Sequence, residues 1–164
     1  MKQKFLVVHP GSSFSTHDVH VAVVEGLRKN GIDVAEFRLD GRIERYHQFL
    51  HFLWRKQRKA DKSKVWPKPT AADVLYQASS GLVERALQRR CTDVLVVSAM
   101  YLQPDRLELC KRAGLRVWLL CTESPYDLGH EKRVAALVDG CWTNERTSVA
   151  TLSEVTKTAY LPHA

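Results

Sequence analysis

Neither G-x-G-x-x-G nor G-x-x-x-x-G-K-[ST] occurs in this chain. Those are the loops whose backbone amides cradle a dinucleotide pyrophosphate or a nucleoside triphosphate, so a dehydrogenase or an ATPase built on them is disfavoured. No apolar run approaches the ~20 residues of a membrane helix, and no span is expected. The start, Met1-Lys2-Gln3-Lys4 before a short strand-like run, lacks the apolar segment and cleavage site of a secretory signal, so a cytoplasmic protein is expected. The four cysteines, Cys91, Cys110, Cys121 and Cys141, show no C-x-x-C spacing. They read as thiols packed like small hydrophobes. The seven histidines do not supply zinc-ligand spacing, and no structural metal is expected.

What is present fits one well-buried domain: 164 residues, 45% hydrophobic and 26% charged. The apolar runs 4–8, 32–37, 93–98, 116–121 and 140–143 read as strands. Amphipathic stretches at 17–30, 105–113, 130–138 and 147–154 read as helices, the first closed by Gly31. Strand, helix and strand in alternation predict an α/β fold, a doubly wound Rossmann-like parallel sheet with right-handed crossovers. Residues 42–90 break the alternation. They predict a helical insertion with one helix through Tyr46, Phe49, Leu50 and Leu53, a polar loop at 56–69, and a second helix over 72–87.

Charge concentrates in that insertion. Between Arg42 and Lys68 nine basic residues face two acidic ones, a local excess of seven that equals the formal net charge of the whole chain, +7. Arg55, Lys56, Arg58, Lys59, Lys62 and Lys64, interleaved with Trp54 and Trp66, form a candidate polyanion-binding patch for nucleic acid, an anionic membrane surface or an acidic substrate. The competing reading is a solvated loop, basic for solubility.

Ligands of open parallel sheets bind beyond the carboxyl ends of the strands. Four polar tips stand there: Pro10-Gly11-Ser12-Ser13, Ser98-Ala99-Met100-Tyr101, Thr122-Glu123-Ser124-Pro125-Tyr126-Asp127 and Thr143-Asn144-Glu145. The first leads into a helix start whose free amides suit an anion, with Gly11 allowing close approach. Ser15, Thr16 or Asp18 in the same stretch suits a helix cap. His17, in the first turn of that helix, suits a general base when neutral. Glu123 suits either the group that orients its imidazole or the base itself, and His20 is a competing candidate.

Val7-Val8-His9-Pro10-Gly11, through His17 to Gly31-Ile32-Asp33-Val34, resembles the opening of two-domain GT-B glycosyltransferases. Glu123-Ser124-Pro125-Tyr126, then 139–145, then Tyr160-Leu161-Pro162-His163-Ala164, resembles the spore-maturation-type glycosyltransferases and related phage enzymes. The resemblance covers most of the chain outside the insertion. It implies an N-terminal, acceptor-side domain with residues 160–164 at the crossing to a donor-side domain, and a UDP- or GDP-sugar as co-substrate. It also implies a sugar passed to an acceptor hydroxyl of nucleic acid, protein or glycan. His17 falls where inverting members carry their base, although its distance from Gly11 exceeds that of the family's Gly-His pair. Ser12, Ser13, Met100, Tyr101, Ser124, Tyr126 and Asn144 would line the cleft, with His163 at the hinge. The alternative is a stand-alone Rossmann-like module that holds nucleic acid on its basic insertion without catalysis.

Overall fold

A computed structural model describes residues 3–11 and 16–162. The candidates Ser12, Ser13, Ser15 and His163 lie outside the described residues. The elements run β1 (Lys4–Val8), α1 (Thr16–Lys29), β2 (Asp33–Phe37), α2 (Leu39–Ala60), α3 (Ala71–Ala78), α4 (Leu82–Gln88), β3 (Asp93–Val97), α5 (Asp105–Arg112), β4 (Arg116–Cys121), α6 (Leu128–Ala135), β5 (Gly140–Thr143), α7 (Ser148–Ser153) and β6 (Thr158–Tyr160). All six strands are parallel in the order β2-β1-β3-β4-β5-β6. The fold is the Rossmann-like α/β sandwich expected from the alternation.

Strands covered on both faces need apolar side chains on both, which is why β3, Asp-Val-Leu-Val-Val, is buried at every position. One face of the sheet carries Phe5, Val7, Leu95, Val97 and Leu120 against Val24 of α1, with Val19, Val23 and Leu27 packed beside it. The other carries Leu6, Val8, Val94, Val96, Val117 and Leu119 against Leu82, Leu107, Val134 and Leu152 of the later helices. The chain moves outward from β1 to β2 in one direction and from β3 to β6 in the other. Right-handed crossovers therefore put the two helical layers on opposite faces and open a crevice where β1 and β3 part.

Two details differ from expectation. The second insertion helix is broken into α3 and α4, because Gly81 takes φ +76° directly before Leu82 and the apolar spacing continues across the break. The Arg42 guanidinium closes that break, Nε donating to the Ala78 carbonyl (2.6 Å) and Nη2 to the Ser80 carbonyl (2.5 Å). Its cation lies over Phe37 and Tyr46, 4.9 and 5.5 Å from their ring centroids. The second difference is β6, a short edge strand paired to β5 through Thr158 and Cys141, where no strand was expected. The insertion otherwise forms the anticipated helical pair, with Thr70 and Asp73 making a capping box at the start of α3.

At the amino end of β3 the fully buried carboxylate of Asp93 accepts from Trp118 Nε1 (2.8 Å), Arg116 Nη2 (2.8 Å) and Thr92 Oγ1 (2.7 Å). Burial alone would raise its pKa. The bonds from Trp118, Thr92 and Arg116 outweigh burial and hold the carboxyl below its ordinary range. Replacing it by alanine, Asp93→Ala, strands the indole N–H and leaves Arg116, itself more than half exposed, in water. The expected loss is about 2–3 kcal/mol in urea unfolding at neutral pH. Because the folded pKa is the lower one, the wild-type advantage should be full above the unfolded value of about 4 and fade as the pH falls below it. Equal unfolding midpoints for the two proteins would show that this network carries no stability.

Candidate functional site

The switch between β1 and β3 places three histidines together. His9 directly follows β1, and its backbone N–H continues the sheet by donating to the Phe37 carbonyl (3.0 Å). His17 and His20 lie one turn apart on α1, so both fall on the helix face above the strand end. The His9 Nε2 and His17 Nδ1 atoms are 2.9 Å apart, and the His20 ring centroid is 4.8 Å from that of His9. His9 is 1% exposed and His20 2%.

The backbone assigns the tautomers. Gly11 N–H donates to His9 Nδ1 (3.1 Å), so His9 carries its proton on Nε2 and donates it to His17 Nδ1. A neutral His17 then holds its own proton on Nε2, the ring edge turned away from His9. Asp40, in the first turn of α2, stands near the same atom, its Oδ1 3.7 Å from His9 Nδ1 and beyond hydrogen-bond reach. Burial disfavours the charged Asp40. The Arg38 fork (3.1 and 2.6 Å), the Gly41 backbone N–H and the nearby His9 more than offset it, bringing the carboxyl down to about 2. Asp40 is thus an anion throughout the working range. The hydrogen bond of this cluster is the one between the two rings, and Asp40 acts on it as a neighbouring fixed charge.

Burial lowers the pKa of His9, helped by Arg38 and His17 and opposed by Asp40. Burial, reinforced by His9, lowers that of His20 to about 4. Both ring nitrogens of His20 lack a hydrogen-bond partner among the described residues.

Asp40 also lines a crevice of about 610 Å³ between the strand ends and the insertion, walled with it by Gly11, Ile43, His47, His51 and Tyr101. Gly11 is required here. At φ +91° an added Cβ would stand 3.0 Å from the Tyr101 Cβ and 3.1 Å from Ile43 Cδ1, so any side chain would wedge the two loops apart. Tyr101 reaches this position because Ser98 leaves β3 in the left-handed region, φ 56°.

Glu123 stands elsewhere. It ends β4, beyond β3 from the histidines, and with Met100, Asp127, His130 and Glu131 it borders a void of about 10 Å³, barely one water. The partner of His17 among the described residues is His9, where Glu123 had been the expected orienting group. Ser124 is buried and bonds Glu131, a buried carboxyl whose pKa burial raises. Tyr126, expected in the cleft, is 94% exposed. Asn144 follows β5, three strands from β1, with its Oδ1 buried and unpartnered. Gly11 and Tyr101 therefore meet at the crevice, whereas Met100, Ser124, Tyr126 and Asn144 flank the β4 and β5 side. Of the six basic candidates, Arg55, Arg58, Lys59, Lys62 and Lys64 converge on one groove at the far end of α2, and Lys56 is exposed on the helix beside it.

Sequence reasoning missed His9 and Asp40. The signals were a histidine directly after one strand and an acid shortly after the neighbouring strand, both on one sheet edge. All four cysteines are buried and unpaired. Among the described residues no group of His, Cys, Asp or Glu is arranged to hold a metal ion, and no helix is long and apolar enough to cross a membrane. No protein-family model matches the chain, and no curated protein is significantly similar to it.

A histidine whose folded pKa is depressed stabilises the fold fully above its unfolded value of about 6.5 and loses that contribution as the pH falls. For His20 the window runs from 6.5 to about 4, with a loss on the order of 3 kcal/mol. Urea midpoints measured across that range should fall steeply in the wild type and less in His20→Leu. Parallel curves would exclude His20 as the source.

Proposed function

We propose that the chain is the acceptor-side domain of a glycosyltransferase that moves a sugar from a nucleotide-sugar donor to an acceptor hydroxyl. The observation that carries this reading is the 2.9 Å His9–His17 hydrogen bond at the strand switch, with the anionic Asp40 standing between it and a 610 Å³ crevice that Asp40 lines.

In this reading the acceptor lies in the crevice against Tyr101 and Ile43, its hydroxyl toward His17. For His17 to act as base its Nε2 must be unprotonated, which requires the tautomer opposite to the resting one: His17 Nδ1–H donating to His9 Nε2, with His9 Nδ1 protonated, released by the Gly11 N–H and met by Asp40 closing its 3.7 Å gap. The acceptor oxygen then attacks the anomeric carbon. The bond from that carbon to the donor phosphate breaks, its electron pair leaves with the nucleoside diphosphate, and the acceptor proton goes to His17 Nε2. Asp40 stabilises the resulting imidazolium through His9, as an anion two links away. A UDP- or GDP-sugar is the expected donor, held by a donor-side domain.

The test uses the native protein that carries this chain, with labelled UDP-glucose and GDP-mannose and an extract of the source cell as the acceptor supply. His17→Ala should slow transfer at least about 100-fold while the circular-dichroism melt is kept. Asp40→Asn, a positioning change, should move the acidic limb of the pH–rate profile to lower pH rather than abolish turnover. Unchanged transfer in His17→Ala, or no turnover of either donor by the wild type, would overturn the reading.

A further inference from the structure

The end of the insertion has chemistry that sugar transfer does not use. The last turns of α2 and the loop to α3 enclose a groove of about 720 Å³, floored by Trp54 and Trp66 and ringed by Arg55, Arg58, Lys59, Lys62 and Lys64. Trp54 Nε1 donates to the Trp66 carbonyl (2.9 Å) and Trp66 Nε1 to the Asp61 carbonyl (3.2 Å), so the two indoles brace the loop against the helix. Of the five cations only Lys64 has a carboxylate partner among the described residues, Asp61 at 3.7 Å. The rest of the charge has no carboxylate against it among the described residues.

Apolar side chains are exposed in the same place. Val65, between Lys64 and Trp66, is 96% exposed at the tip, and Phe52, one turn before Arg55 and Lys56 on α2, is 60% exposed. Phe49 adds a third exposed apolar group along that stripe. Folding gains nothing from leaving these three in water.

We infer that this tip docks on the surface of an anionic lipid bilayer, with Val65 and Phe52 entering the headgroup boundary and the Lys/Arg ring meeting the lipid charge. A cluster of four to eight basic residues on a helix with exposed aromatics has the composition of such a contact. The free apolar groups decide between lipid and nucleic acid. Arg58 and Lys64 already lie over the rings of Trp54 and Trp66, 5.5 and 5.9 Å from the centroids, which leaves those faces poorly open to bases. An aliphatic Val65 at the most exposed point cannot stack but can be buried in lipid. The contact is peripheral, and it stands independently of the sugar-transfer reading.

Co-sedimentation of the full chain with vesicles tests this. Binding is expected to phosphatidylcholine vesicles containing phosphatidylglycerol at about 3:1, to weaken in high salt, and to be absent on phosphatidylcholine alone. Lys59→Ala with Lys62→Ala should weaken it about thirtyfold. Phe52→Ser with Val65→Ser should weaken it about tenfold or more and remove what survives in salt. Brominated lipid should quench the wild-type tryptophan emission, a readout that needs no variant. The inference is overturned if the charged vesicles fail to bind, if the serine variant binds as well as wild type, if quenching is absent, or if a single-stranded oligonucleotide displaces the protein from the vesicles.

Discussion

The buried carboxylate of Asp93 holds the amino edge of the sheet together. It joins Thr92, which meets Lys4 of β1, to Arg116 and Trp118 of β4. Trp118 in turn stacks on Trp142 of β5, ring centroids 5.6 Å apart. Four strands are thus cross-linked at one end by a single charge with three donors, a role open to a charge only because every donor is in place. With that edge secured by polar bonds and the two faces filled by apolar ones, the cluster of His9, His17, His20 and Asp40 falls at the carboxyl edge.

That division shows what the sequence could reveal. β1, β3 and β4 were legible because burial on both faces demands runs of β-branched residues and leucine, such as Val94 to Val97, and β2 through its alternation from Ile32 to Phe37. β6 was not, since Thr158-Ala159-Tyr160 is an edge strand with polar and exposed positions and takes its register from β5 alone. The break between α3 and α4 was hidden because Ala78, Leu82 and Ala86 keep helical spacing through it, and only the backbone of Gly81 reveals the turn.

At the site, His17 was legible from its place after the first strand, but its partner was not. Choosing between Glu123 and His9 needs the strand order, and in this order β3 stands between β1 and β4. Strand order is a property of the whole sheet that no local spacing encodes. Asp40 was obscured for a related reason: α2 begins at Leu39, earlier than its periodic face suggests, so a residue that reads as turn is helical and aimed at the crevice. The basic groove was the reverse case. Its residues are close in sequence, so composition alone located it.

The 22 residues of α2 are continuous from Leu39 to Ala60, a rod about 33 Å long. Asp40 sits in its first turn and Arg58 and Lys59 in its last. Arg42 pins the rod near the Asp40 end by gripping the carbonyls of Ala78 and Ser80. Packed on α3 and braced at its far end by Trp54 and Trp66, the rod is a fixed spacer between the crevice and the basic groove, so a surface that seats the groove also sets how far the crevice stands from it.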